Sequence, residues 1–381
     1  MSFLGLRRVT VCAGTLMLAT AAIPAAMAGR SPSWQSLPRP PIAGRLDAST
    51  VWTGGQMIVW GGITRPGLTG PPRAQADGAA YSPRTRRWRT ISRAPSGVRG
   101  GGGNASAWTG REMVVWVGNS PQGPAAAATY DPWKDAWRRL PAGPLGARED
   151  NASVWTGSQL IVFGGHTGGV TRPTGAALEP ERRAWRRLPG LEAINGLAVA
   201  NGAVWDGREA FVVGQLSTSP AQPPRATMFA FNPKSDKVRR IDLSKAPVAP
   251  GERLRLYPIA WTGKDILLLL GAHSASSRIM VVRYDPSTNR WRKGRSAACT
   301  GPTQTAWTGT GVVAACGPKA IEVYRPQSDR WQAIPSGPSP LASRRGSAIV
   351  WTGRQLIVWS GVVDQAGNPT PSDGASIALA K

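Results

Sequence analysis

One tripeptide recurs along the chain, and its spacing leaves few folds open. Trp-Thr-Gly occurs at Trp52, Trp108, Trp155, Trp261, Trp307 and Trp351, and a seventh copy reads Trp205-Asp206-Gly207. A period of about 50 residues is that of a repeat architecture built from one supersecondary unit per repeat. Each copy lies between two apolar runs, as in Ala348-Ile349-Val350-Trp351 followed by Leu356-Ile357-Val358-Trp359. Two such runs around a short glycine-containing turn make a β-hairpin. Composition agrees, since 46 glycines and 34 prolines in 381 residues punctuate short segments and argue against long helices.

A second signature follows each hairpin: an aromatic or apolar residue, usually Pro two positions later, and Trp seven positions later. It reads Tyr81/Pro83/Trp88, Tyr130/Pro132/Trp137, Leu178/Pro180/Trp185, Tyr284/Pro286/Trp291 and Tyr324/Pro326/Trp331, with Phe231/Pro233/Val238 as a degenerate copy. This predicts a third strand, a Pro-containing turn and an outer fourth strand, whose large ring fills the wedge between neighbouring units. Seven hairpins precede only six complete outer pairs. The ends supply the rest: Gly374-Ala375-Ser376-Ile377 matches Gly78-Ala79-Ala80-Tyr81, and Trp34-Gln35-Ser36-Leu37-Pro38 matches Trp137-Arg138-Arg139-Leu140-Pro141. The expectation is an all-β, seven-bladed β-propeller of four-stranded blades, closed where the N-terminal outer strand joins the C-terminal strands, which leaves no open edge.

The order of apolar strand, turn, apolar strand ending in Gly61-Gly62 or Gly164-Gly165, then Tyr and Trp at fixed spacing, resembles the Kelch repeat. The resemblance covers nearly all of residues 33 to 380. Five copies keep only one glycine at the end of the second strand (Val117-Gly118, Val213-Gly214, Leu270-Gly271, Cys316-Gly317, Ser360-Gly361), a departure that leaves the fold expectation intact and the function open.

The N-terminus reads as an export signal: Arg7-Arg8, an apolar stretch from Val9 to Ile23, and Ala26-Met27-Ala28 before Gly29. Residues 1–28 are expected to be removed, residues 29–381 to form a single propeller, and no later segment is apolar enough to span a bilayer. The resulting protein would be a monomer, secreted or held in the cell envelope. Its two remaining cysteines, Cys299 and Cys316, flank the Trp307 turn and form a disulfide candidate in an exported chain.

The formal net charge is +25, and only eight of the 46 cations are lysine. Many arginines flank the outer-strand tryptophans, where neighbours of an inward ring point the other way, so a solvated rim is one reading and attraction to anionic envelope polymers another. Nucleic acid is not expected, because the aromatics are committed to the core. Arg45, Arg148 and Arg344 each lie seven residues before a hairpin Trp, where the chain returns to the innermost strand. They form either a cationic funnel for carboxylate or phosphate at the mouth of the central channel, or braces between loops.

Loops joining second to third and fourth to first strands vary most, and binding is expected on that face. Arg148-Glu149-Asp150 is its densest polar cluster, with His166 after Gly165. Only two histidines, His166 and His273, are present, without ligand spacing, so neither a metal nor a cofactor is expected. No pair of acid/base groups at a defined distance can be read, and no catalytic residue is assigned. The leading reading is a non-catalytic propeller that recognises a protein or carbohydrate ligand, or an envelope polymer. A carbohydrate-active enzyme similar to sialate epimerases, with its site at the channel mouth, is the alternative.

Overall fold

The computed structural model describes residues 33–379 except 65–70, 102–103, 119–124, 169, 192–196, 217–224, 249–253, 258, 273–277, 298–303, 316–320, 336, 338–343 and 363–370. Residues 1–28, Cys299, Cys316 and His273 therefore lie outside the described residues.

The seven hairpins form because the Trp-Thr-Gly turn satisfies itself. In each, the residue after Trp opens a two-residue loop, and its backbone N–H donates across the loop, as from Thr53 to Gln56 (2.9 Å). The Thr53 hydroxyl accepts from the Gln56 N–H at 3.0 Å, and Thr109, Thr156, Thr262, Thr308 and Thr352 repeat the contact. Asp206 does the same with its carboxylate, accepting from the Glu209 N–H at 2.7 Å. The glycine that follows has φ between +82° and +102° in all seven copies, at the first central position where a II′ hairpin turn needs it.

Each hairpin extends to a four-stranded antiparallel blade, with a short additional bridge strand in the fifth. Blade 1 comprises Ser49–Trp52, Met57–Trp60, Gly78–Ser82 and Arg87–Ile91. Blade 3 comprises Ala152–Trp155, Leu160–Phe163, Gly175–Glu179 and Ala184–Arg187. Second strands such as Met57–Trp60 are buried at every position because both faces pack on a neighbouring blade, hence their continuous apolar runs. Seven apolar clusters occupy the seven seams of the ring, from Trp60, Val115 and Tyr130 between blades 1 and 2 to Val59, Tyr81 and Trp359 between blades 7 and 1.

Closure follows the expected scheme. Gln35–Ser36 pairs with Gly374–Ala378, matching Gln35 to Ser376, as the fourth strand of blade 7. The outer-strand tryptophans are half-buried and do more than fill space. Their indole N–H groups donate to the carbonyl just past the preceding blade's fourth strand: Trp88 to Pro38 (3.0 Å), Trp137 to Ser92 (2.8 Å), Trp185 to Pro141 (3.1 Å), Trp331 to Arg295 (2.7 Å) and Trp34 to Pro335 (2.7 Å).

The arginines beside those rings are not a purely solvated rim. Arg89 reaches the Tyr130 hydroxyl (3.3 Å) and the Pro132 carbonyl (3.2 Å) of the next blade. Arg186 pairs with Asp236 at 2.6 Å and also bonds the Pro233 carbonyl. Arg239 pairs with Glu209 and bonds the Tyr284 hydroxyl. One residue past the Trp position, the strand carries a guanidinium whose several donors reach two blades at once. Part of the positive charge is thereby committed to holding the ring together.

Candidate functional site at the channel mouth

The second-to-third and fourth-to-first connections meet on one face. The residue after each brace arginine pairs through two backbone hydrogen bonds with the residue that follows the second strand: Leu46 with Ile63, Glu149 with His166 and Arg345 with Val362, all at 2.8–2.9 Å. Such close approach demands glycine beforehand. A Cβ on Gly62 or Gly165 would lie 2.7 or 2.5 Å from the Leu46 or Glu149 carbonyl oxygen, and both have positive φ. The next residue then turns left-handed into the innermost strand, with φ of 53° at Asp47, 53° at Asp150 and 62° at Gly346.

Arg45, Arg148 and Arg344 are all buried and occupy one repeated brace. Nη1 of each donates to the carbonyl sixteen residues on, Gly61 (3.1 Å), Gly164 (3.1 Å) and Ser360 (3.5 Å), where the second strand ends. The same nitrogen bonds the carbonyl just before the third strand, at Asp77, Thr174 and Asp373. Each guanidinium thus holds a 2–3 loop against the chain that returns to the axis. Arg45 and Arg344 are also paired with the carboxylates of Asp77 (3.1 Å) and Asp373 (2.8 Å), and Arg344 holds the Asp373 carboxyl below the usual carboxylate range.

Glu149 and Asp150 turn towards solvent from blade 3, and Arg345 does so from blade 7. His166 Nε2 lies 3.0 Å from Asp150 Oδ2, and its Nδ1 lies 3.6 Å from Glu149 Oε1. With a proton on Nε2 the ring donates to Asp150, and a protonated ring carries both carboxylates as ion-pair partners. His166 is held at the foot of a small ribbon, His166–Thr167 with Val170–Thr171, whose Thr167 hydroxyl bonds the Ala147 carbonyl. Asp47 comes to the same mouth from blade 1, its N–H bonded to the Gly346 carbonyl of blade 7 at 3.0 Å. Its side chain is exposed, yet its carboxyl is pushed upward, first by the protein mass around it and then by the charge of Asp150.

The structure thus gathers Glu149, Asp150 and His166, and separates their accessible side chains from the buried guanidinium of Arg148. Asp47 belongs with them although its motif was not singled out in the sequence. It stands five residues before its hairpin Trp, the offset of Asp150, so alignment of the repeats contains it. Among the described residues no group of three or more His, Cys, Asp or Glu side chains is arranged to hold a metal ion. Glu192, Glu252, Arg253 and Asp364, also on this face by sequence, lie outside the described residues. No family model matches the chain, and no curated protein matches it significantly.

Proposed function

We propose that this protein is an exported, non-catalytic binding propeller that holds a glycan at the channel mouth. The observation that supports this reading is the pairing of Glu149 and Asp150 around His166, on backbone fixed by paired hydrogen bonds, with Asp47 within range of the Asp150 charge. Carboxylates accept hydrogen bonds from vicinal hydroxyls, and a rigid scaffold with variable loops places such acceptors without an ordering cost on binding. The arginines beneath keep the loops in place and moderate the negative charge of the mouth. Export rests on the N-terminal segment, and the disulfide between Cys299 and Cys316 belongs to the same proposal.

Glycan-array binding followed by titration calorimetry of Asp47→Asn and Asp150→Asn tests the reading. Loss of about tenfold or more in affinity in either variant is expected, since a charge-assisted hydrogen bond contributes about 1.5–3 kcal/mol. Wild-type affinity in both variants would remove the channel mouth as the site. The pairing of His166 with two carboxylates favours a second reading, proton transfer on an acidic sugar by an epimerase-like enzyme. Turnover of sialic or uronic acids that disappears in His166→Ala and Glu149→Ala would establish it in place of simple binding.

A further inference from the structure

The repeat supplies its own control for one anomaly. The residue just before the third strand meets the buried arginine in blades 1, 3 and 7. It is Asp77 in blade 1 and Asp373 in blade 7, each within ion-pair distance of its arginine. In blade 3 the same place is held by Thr174, whose hydroxyl accepts from Arg148 Nη1 at 3.2 Å. The guanidinium also bonds the carbonyls of Gly146, Gly164 and Thr174. Among the described residues no carboxylate lies within ion-pair distance of Arg148, whereas Arg45 and Arg344 each have one. A buried cation with only neutral partners forgoes the Coulomb energy that offsets its desolvation.

The surroundings deepen the deficit instead of relieving it. Arg172 and Arg187, both exposed, stand close enough for their charges to act on Arg148. Together with burial, the larger cause, they lower its guanidinium to about 10. Outside Thr174 the surface opens into a groove of about 460 Å³, bordered by Gly175, Arg186, Arg187 and Pro189, with Asp236 across the seam in blade 4. Asp236 does not supply the missing charge, because it is paired with Arg186 at 2.6 Å.

We propose that this groove beside Thr174 is an oxyanion-binding site, in which a phosphate, sulfate or carboxylate group of a ligand takes the place that Asp77 and Asp373 fill in blades 1 and 7. Thr174 links the two sides. Its oxygen accepts from Arg148, which leaves its hydroxyl hydrogen free to point at an anion in the groove. Arg187 supplies a planar pair of donors from the rim. None of Asp47, Glu149, Asp150 and His166 lines this groove, and the proposal goes beyond the glycan reading, which it neither needs nor supports by itself.

Thermal unfolding and titration calorimetry with sodium phosphate, sodium sulfate and sodium glucuronate, each against sodium chloride at equal ionic strength, test the proposal. At least one oxyanion is expected to bind and raise the melting temperature beyond chloride, and the ranking of the three identifies the preferred group. Thr174→Asp restores the pattern of the other two blades. It is expected to melt higher than the wild type without added anion and to lose at least tenfold in anion affinity. Arg187→Ala is expected to lose about tenfold, while Asp150→Asn, at the mouth, retains wild-type anion affinity. Chloride reproducing the whole shift, or undiminished anion binding in Thr174→Asp, would overturn the site. Should Thr174→Asp fail to fold, unchanged affinity in Arg187→Ala overturns it equally.

Discussion

Single residues in this ring are best judged against their counterparts in the other blades. Glu322 stands in a strand register occupied by Ala79 in blade 1, Ala128 in blade 2 and Val282 in blade 5. It shares its sheet face with Val312 and Tyr324, which pack towards blade 5, and its Oε2 is buried without a hydrogen-bond partner among the described residues. Burial raises its carboxyl above the ordinary value of 4.5. The native state therefore holds this proton more tightly than the unfolded chain, and stability falls as pH rises from the unfolded value through the raised native one. Above that window the cost of a charged, unpaired carboxylate persists. Glu322→Gln removes the charge and keeps the shape, so it is expected to stabilise the protein by about 1 kcal/mol at pH 7 and to leave stability unchanged below pH of about 4. Urea unfolding of both proteins across that pH range measures the difference. Equal stability at every pH would mean that Glu322 has a counter-charge in the folded state.

At the scale of strands and turns, the outer turns show what sequence reveals and what it conceals. Five positions after the aromatic or apolar residue of the third strand, six outer turns place a left-handed residue: Arg86, Asp135, Arg183, Asp236, Asn289 and Asp329, all with φ between 48° and 56°. Asp and Asn tolerate that conformation, and Asp135, Asn289 and Asp329 also accept from the hydroxyls of Tyr130, Tyr284 and Tyr324. Arg86 and Arg183 bear the Cβ strain, but Arg86 recovers contacts with Gln35 and the Ser36 carbonyl across the closing seam. Arg183 has only a weak 3.5 Å contact with the Arg139 carbonyl. Arg183→Asn is therefore expected to stabilise by about 0.5–1 kcal/mol, read as a higher urea midpoint at unchanged slope. Strand count, turn positions and ring closure were legible because each is written into a residue class at a fixed period. For Arg148 the sequence left a funnel and a brace both open, because most of a guanidinium's partners lie sixteen to twenty-six residues away and depend on which carbonyls the folded loops present. Asp47 fell between these cases: its offset repeats that of Asp150, but only in the folded chain does the charge of Asp150 act on it.

For the molecule as a whole, the seam in blade 7 decides whether seven units behave as one. On its outer side Gly374–Ala378 is joined to the N-terminal segment by the pairing of Gln35–Ser36 and by the Leu37 N–H to the Gly374 carbonyl, so the ring is held there by paired backbone, the Trp34 bond to Pro335, the Trp88 bond to Pro38 and the Arg86 contacts. In every other blade a covalent turn joins third and fourth strands, with seven residues from the Tyr position to the Trp position. Ile377 occupies the Tyr position in blade 7. If Lys381 were joined directly to Pro32, then Ala378, Leu379, Ala380, Lys381, Pro32 and Ser33 would intervene and Trp34 would stand seventh, the native spacing. A permuted chain with that junction and new termini between Glu181 and Arg182, in the exposed outer turn of blade 3, moves the break from blade 7 to blade 3 without changing a strand. Each blade keeps its four strands and each seam its apolar cluster, so the permutant is expected to fold to a ring with unaltered near-ultraviolet circular dichroism from its tryptophans. Its melting temperature should fall within a few degrees of the parent, because the loop entropy lost in one blade is regained in another. A permutant cut instead between Leu160 and Ile161 leaves a buried second strand split and is expected to aggregate. Equal behaviour of the two permutants would show that continuity of a buried inner strand is not what holds the ring.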